Sequence, residues 1–173
     1  SARVWLSKRG RRSERQPGGC EPGMIRGTRP RSIDNGQEHL REIGTTLAAS
    51  APRGWISTEA RMSAVGHVGQ CLVYVTIEGQ SQTRVTTPGR LSGHFMRLRR
   101  LMYLEGKGTW YTATFYLQKS GAFDVDYDYD AEPNFLAPGP GPGEYEIDHR
   151  HFPRDEENVP GWLRRKLRKA EQG

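Results

Sequence analysis

The chain has 173 residues, of which 34% are hydrophobic and 27% charged, and its formal net charge at pH 7 is +6. Two cysteines exclude a disulfide framework or a zinc-ligand spacing, and no apolar run has the length of a membrane span or of a signal peptide. We therefore expect a soluble cytoplasmic protein of one domain plus extensions, with no membrane partner.

Charge is sorted along the chain into blocks of opposite sign. The net charge is +7 over residues 1–32, +4 over residues 33–120, −9 over residues 121–160 and +4 over residues 161–173. Segregated charge steers charged partners and costs self-repulsion in the compact state. The pattern indicates contact with another macromolecule, and the acidic block argues against nucleic acid because it repels phosphates.

Residues 1–32 are predicted to be a basic Gly/Arg-rich arm, followed by a single α+β domain over residues 33–173. Arginine binds phosphates and carboxylates bidentately, so the arm is predicted either to bind nucleic acid or to enter a partner's pocket for an anionic ligand. A disordered extension is the structural alternative. The arm residues expected to contact a partner are Lys8, Arg9, Arg11 and Arg12.

Hydrophobic periodicity predicts the elements in chain order. Asp34 and Gln37 resemble a capping box, and Leu40, Ile43 and Leu47 recur at helical spacing, so a helix of about four turns is predicted from Asp34. A second helix is predicted from Leu91, with Arg97, Arg99 and Arg100 outward, and a last helix after Pro160. Strands are predicted at 55–65, 70–78, 82–87, 109–118, 122–130 and 145–148.

These elements predict an α+β fold. Its core is an antiparallel sheet of about five to six strands, packed by two to three helices, and the basic N-terminal arm precedes it. No cofactor, metal site or catalytic residue is predicted. Cys71 has no assigned base, and His149 and His151 have no third ligand.

The strand at 122–130 alternates strictly between aromatic or aliphatic and acidic residues. Phe123 belongs to the row expected to face the core, where its replacement by alanine would cost about 3–5 kcal/mol. Successive carboxylates on the other face lie about 6–7 Å apart. The acidic residues of this second row are Asp124, Asp126, Asp128 and Asp130.

The acidic row is compatible with several kinds of site, which its spacing and neighbours distinguish. A calcium loop is excluded because Tyr129 and Phe135 stand where glycine and glutamate are required. A glycosidase dyad has little support, and a magnesium site lacks a phosphate-binding loop. Two interpretations of the acidic row remain. It is either a solvated outer face of the sheet or an acidic docking face for a basic partner.

Three segments resemble immunity proteins of bacterial polymorphic toxin systems, of the YezG-like type. They are Leu101–Tyr111, Gly121–Pro133 and Phe152–Leu163, and the resemblance covers about residues 33–168. The composition is also similar to that of the immunity factor of a secreted mycobacterial NAD⁺-glycohydrolase toxin. The resemblance implies a cytoplasmic protein that binds a cognate toxin domain in a 1:1 complex and blocks its active site without chemistry of its own.

The expected function is therefore a non-enzymatic antitoxin directed against an NAD⁺ glycohydrolase. An immunity protein against a nuclease toxin is one alternative, and a nucleic-acid-associated regulator that uses the basic arm is another. A small enzyme that uses the acidic row is a third possibility.

Overall fold

The computed structural model describes residues 31–170, with side chains from Gly36 onward. Lys8, Arg9, Arg11 and Arg12 of the predicted arm lie outside these residues, and the domain boundary at residue 32 stays a prediction. In chain order, the elements are α1 Arg31–Ser50, β1 Trp55–Val65, β2 Val68–Ile77, β3 Thr83–Val85, α2 Leu91–Leu101, β4 Thr112–Gln118, β5 Phe123–Asp128, α3 Pro142–His151, a 3₁₀ helix Glu156–Asn158 and α4 Gly161–Ala170.

The five strands form one antiparallel sheet in the order β3-β2-β1-β4-β5. β1 and β2 are joined by a tight turn at Gly66, whose φ of 58° is in the left-handed region. β5 is an edge strand, since no strand of the described part of the chain pairs with its outer side.

One face of the sheet is covered by α1 and α2. α1 packs against β1 and β4, and α2 packs against β1 and β2. Apolar residues from adjacent strands line up beneath these helices because their Cα registers match. The rows are Val73, Ala60, Phe115 and Val125, followed by Cys71, Met62, Ala113 and Tyr127.

A second apolar cluster closes one end of the sheet. α3 and α4 pack against each other, and Trp162 lies edge-on to Tyr111 with ring centroids 4.9 Å apart. The Trp162 indole N–H donates to the carbonyl of Asp130 at 2.7 Å, which ties α4 to the end of β5. The buried members of this cluster are Val65, Tyr111, Tyr145, Trp162 and Leu163.

The predicted α+β class and the antiparallel five-stranded sheet are confirmed. Four α-helices stand in the described residues in place of the expected two to three, because residues 145–148 lie within α3 and not in a strand. Proline in the first turn, Glu144 in the same turn and three basic residues in the last turn all favour this helix. α1 begins at Arg31, so Asp34 lies inside the helix and is not its N-cap.

Two side-chain placements differ from expectation. Arg99 was predicted to face outward from α2, but it is only 1% exposed. The alternation in β5 is confirmed, with Val125 and Tyr127 packed against the core, yet Phe123 is 50% exposed at the start of the strand. Since Phe123 keeps half its surface in water, its removal should cost about half of the 3–5 kcal/mol expected for a buried phenylalanine.

Candidate functional site

Apart from the end at Val65, which α3 and α4 close, the second face of the sheet is covered by no described helix, and its residues run in straight rows across the strands. We call this surface the helix-free face. Its first row consists of Arg84, Tyr74, Glu59, Tyr116 and Asp124. The second row is Leu72, Arg61, Thr114 and Asp126, and the third is Gln70, Ser63, Thr112 and Asp128.

The loop after β5 covers the third row. The hydroxyl of Ser63 donates to the carbonyl of Asn134 at 2.9 Å, and the amide of Leu136 donates to the side-chain oxygen of Gln70 at 2.7 Å. The first two rows therefore form the open part of the helix-free face, with Thr114 of the second row buried between its neighbours.

Asp124, Asp126 and Asp128 lie together on β5, but their carboxylates differ in the hydrogen bonds that they accept. Asp124 accepts a hydrogen bond from the amide of Val125 at 2.9 Å, on the outer strand of the sheet. Asp128 accepts from the amides of Asp130 and Ala131, both at 2.9 Å, where the strand ends. These local bonds satisfy backbone donors, which is a structural role for two of the four acids.

Asp126 is exposed and accepts no hydrogen bond from any described group. Within residues 36–170, no lysine, arginine or histidine side chain lies within 4.0 Å of the carboxylate of Asp124, Asp126, Asp128 or Asp130. The acidic row is therefore electrostatically uncompensated by the described part of the chain, and its negative potential is available to a basic group.

Tyr116 is the more exposed of the two tyrosines in the first row. It is 39% exposed and lies between Glu59 on β1 and Asp124 on β5. Its pKa is raised, first by burial and then by the carboxylates of Glu59 and Asp126. A half-exposed tyrosine beside carboxylates presents both a ring face and negative charge, a combination that suits a basic side chain.

The positive groups of the helix-free face lie towards β3 and β1. Arg61 Nη2 contacts Glu59 Oε1 at 3.2 Å, and Gln82 Nε2 donates to Glu59 Oε2 at the same distance. Charge on this surface thus changes sign from Arg84 and Arg61 at one side to Asp124 and Asp126 at the other. Such a gradient would orient a charged partner.

Sequence reasoning missed a buried ion pair behind this surface. Arg99 donates to both carboxylate oxygens of Asp148, at 2.7 and 3.0 Å, and its Nε donates to the carbonyl of Trp110 at 2.8 Å. Asp148 also accepts from the amide of Gly66 at 2.8 Å. The side chains of Arg99 and Asp148 are buried and hydrogen-bonded, so the network holds α2, α3 and the β1–β2 turn together and offers no site to a ligand.

Arg154 is a second buried guanidinium. It donates to the carbonyls of Thr109 and Tyr129, at 2.7 and 2.8 Å, and its charge lies 4.9 Å from the centre of the Tyr111 ring. Burial raises the pKa of Tyr111 to about 12, although Arg154 acts in the opposite direction. No sequence signal distinguished Arg99 and Arg154 from surface arginines.

The remaining candidates for chemistry are structural. Cys71 is buried on β2, and burial raises the pKa of its thiol to about 12, which leaves it a poor nucleophile. In the part of the chain that the structure describes, no three His, Cys, Asp or Glu side chains are grouped so that they could hold a metal ion. None of the helices within residues 31–170 is long and apolar enough to cross a membrane.

Comparison with known proteins adds no family assignment. No protein-family model matches the sequence, and a search among curated proteins finds no match.

Proposed function

We propose that this chain is a non-enzymatic immunity protein that binds a cognate toxin domain and occludes its active site. The observation that carries the proposal is the open acidic margin of the helix-free face, where Asp124 and Asp126 lie beside the half-exposed ring of Tyr116. Its chemistry fits the basic rim that surrounds a cleft for an anionic substrate.

The acidic margin and the basic arm are proposed to bind different parts of the toxin, because their charges are opposite. The acidic margin docks on the toxin's basic rim, which speeds encounter and fixes the register of the complex. The arm residues Lys8, Arg9, Arg11 and Arg12 enter the pocket that normally holds the anionic part of NAD⁺. An immunity protein must bind its toxin before the toxin consumes its substrate in the cell, so we expect a Kd of about 1 nM or lower.

The test uses the full chain and the toxin domain encoded beside its gene, with NAD⁺ hydrolysis by the toxin as the readout. The wild-type chain should abolish hydrolysis at equimolar concentration. The double variant Asp124→Asn/Asp126→Asn should associate about tenfold more slowly at low salt, because it loses electrostatic steering.

A matched control keeps the loss of two charges but moves it to the opposite side of the molecule. Glu38 and Glu42 are exposed on α1, which covers the other face of the sheet. Glu38→Gln/Glu42→Gln should associate at the wild-type rate. Equal rates for all three proteins, or hydrolysis of NAD⁺ by the purified chain alone, would overturn the proposal.

A nuclease is the alternative target of the same surface, because a nuclease cleft is also rimmed by basic groups that hold phosphates. If the chain inhibits DNA or RNA cleavage by the toxin and has no effect on NAD⁺ hydrolysis, the target is a nuclease.

A nucleic-acid-associated regulator is favoured by one separate observation. α4 presents exposed basic residues at Arg165, Arg168 and Lys169. Fluorescence anisotropy with labelled duplex DNA distinguishes the two classes, since a regulator binds with an affinity that falls steeply with salt. An immunity protein should show no measurable binding at physiological salt.

A further inference from the structure

β5 is the edge strand of the sheet, and the outer side of its backbone has no pairing strand within residues 31–170. Its residues match those of β4 one to one, without a bulge. The carbonyl of Ala122 accepts from the amide of Gln118 on β4, and the carbonyl of Asp128 also bonds in that direction, so even-numbered positions bond inward. Because the bonding direction alternates along a strand, the amides and carbonyls of odd-numbered positions point outward. These outward-facing residues are Phe123, Val125 and Tyr127.

One of the outward amides is satisfied by a side chain of the strand itself. The amide of Val125 donates to Oδ1 of Asp124 at 2.9 Å, in the place where the carbonyl of a further strand would lie. An open edge attracts other strands, and sheets commonly protect it with proline, a bulge or charge. β5 contains neither proline nor a bulge, so its aspartates decide which strands can pair there.

The aspartates disfavour a second copy of this chain at the edge. If two β5 strands paired antiparallel about Val125, Asp124 of each strand would lie opposite Asp126 of the other. Like charges placed directly opposite each other, with Cβ atoms about 5 Å apart, destabilise a strand pair. No described basic side chain lies within 4.0 Å of these carboxylates to offset the repulsion. A strand with basic residues at the opposing positions would be attracted instead.

The two faces of β5 specify the side chains of a strand that fits its edge. Asp124 and Asp126 are exposed on the helix-free face. On the other face, Phe123 is half exposed, and its ring stacks on that of Phe115 with centroids 5.1 Å apart. Residues opposite each other in neighbouring strands share a face. A fitting strand therefore places basic residues beside the aspartates and an apolar residue beside Phe123.

We propose that the outer edge of β5 takes an extended segment of the partner as a sixth strand, in which basic and apolar residues alternate. A carbonyl of the segment replaces the Asp124 carboxylate at the Val125 amide, and the released carboxylate pairs with a basic side chain. Main-chain hydrogen bonds supply affinity in this mode, and the alternating side chains supply specificity. The inference rests on the proposed function, because it states how the toxin's basic rim contacts the acidic margin.

Amide hydrogen exchange in the full-length chain tests the pairing without the toxin. The probe is a capped peptide of about nine residues, long enough to span β5, in which lysine and valine alternate. It should bind at low salt with a Kd of about 1 mM or tighter. At saturation it should slow exchange of the Phe123, Val125 and Tyr127 amides at least about tenfold, and leave that of Asp126, which bonds towards β4, unchanged.

Two matched peptides separate strand pairing from attraction between charges. A peptide of the same composition with its lysines in one block should not protect the outward amides. The alternating peptide with N-methyl groups on every second residue, along the side that faces β5, should not protect them either. Equal protection by either control, or no protection by the alternating peptide, would overturn the proposal.

Charge variants of the chain test the role of the aspartates. Asp124→Asn/Asp126→Asn should bind the alternating peptide at least about tenfold more weakly, whereas the control Glu38→Gln/Glu42→Gln should bind it as the wild type does. Equal affinities for all three proteins would overturn the proposal. Outward amides that are already protected in the free chain would mean that another segment or a second copy pairs with the edge, and would also overturn it.

The same exchange measurement on the complex with the toxin domain separates this inference from the proposed function. Slow exchange of the outward amides in an inhibited complex supports both. Inhibition with no change in these amides would overturn the edge pairing and leave the immunity function standing. Protection by the peptide, with no binding or inhibition of the toxin, would overturn the immunity function and keep the pairing of the edge with a basic strand.

Discussion

At the scale of single residues, the most consequential side chains are two arginines that are buried where surface charges would be expected. Arg99 is paired with Asp148, whereas Arg154 is compensated by three backbone carbonyls, those of Thr109, Tyr129 and Asn158. A buried guanidinium is tolerated only when nearly all of its donors are used. Each of these residues is therefore sensitive to the loss of any one partner.

Replacing Asp148 should show this sensitivity directly. Asp148→Ala leaves Arg99 charged, buried and without its carboxylate, and it also removes the acceptor of the Gly66 amide. We expect the free energy of unfolding to fall by about 3–5 kcal/mol in urea denaturation. The control Arg97→Ala, at an exposed position two residues from Arg99, should change it by less than about 0.5 kcal/mol. A cost for Asp148→Ala no larger than that of the control would contradict the role of the pair.

A histidine pair between α1 and α2 gives stability a pH dependence of known sign. The Nδ1 atoms of His39 and His94 lie 3.2 Å apart, an arrangement that a neutral pair can bridge with one hydrogen bond. Burial lowers the pKa of His94 below its ordinary value of 6.5, and His39 lowers it further. Glu42 acts in the opposite direction, while Arg97 and Arg90 add to the lowering.

Because the folded chain holds fewer protons at His94 than the unfolded chain does, stability should decrease as the pH falls through 6.5. Urea denaturation at about pH 7.5 and about pH 5.5 measures this difference. His94→Gln should lose less stability between the two pH values than the wild type, and His39→Gln should behave in the same direction. An unchanged difference in His94→Gln would show that other groups cause the pH dependence.

At the scale of elements, the turn between α2 and β4 is shaped around its neighbours. Gly108 has a φ of 75°, and a Cβ atom placed there would lie 2.5 Å from Nε of Arg154. Gly121, in the hairpin between β4 and β5, has a φ of 86° but no neighbouring atom within 4 Å of such a Cβ. The two glycines therefore share a backbone requirement and differ in their surroundings.

Alanine substitutions at these two positions should distinguish the cost of a left-handed backbone from the cost of a steric contact with a neighbouring side chain. Gly121→Ala should cost about 1–2 kcal/mol, the energy of a left-handed alanine. Gly108→Ala should cost clearly more, because Arg154 must also give up hydrogen bonds to move away. Thermal or urea denaturation measures both, and equal costs would mean that Arg154 adapts freely.

Most helices and strands could be predicted from the sequence because each buries only one face, which makes its apolar residues periodic. β5 alternates strictly, α2 repeats its apolar residues at helical spacing, and both were located correctly. α3 was missed because Tyr145 and Ile147 alternate with charged residues over four positions, which is too short a stretch to separate a strand from a helix end.

The candidate site was predictable in part. The alternation placed the acidic row on the face away from the core, as the register confirms. It could not show that the loop at Asn134 and Leu136 covers the third row, since that contact joins residues far apart in sequence. Nor could it reveal Arg99, because arginine is seldom buried and nothing in its local sequence marks the position of Asp148.

At the scale of the whole molecule, the described residues alone supply two apolar clusters, one beneath α1 and α2 and one at the end of the sheet that α3 and α4 close. A variant that lacks residues 1–30 should therefore unfold cooperatively, with a denaturant slope close to that of the full chain, because it buries nearly the same core surface. Circular dichroism and urea denaturation test this. Loss of the cooperative transition would mean that the N-terminal residues belong to the core.

The β1–β2 turn is held from α3 by two carboxylates: Asp148 accepts from the Gly66 amide at 2.8 Å, and Glu144 accepts from the His67 amide at 2.7 Å. Turn amides ordinarily exchange with solvent deuterium within a short time, but these two should exchange as slowly as the amides of the central strands. The tip of the longest hairpin is then as rigid as its middle. A surface mounted on such a hairpin would lose little conformational entropy on association, so more of the contact energy would remain as affinity.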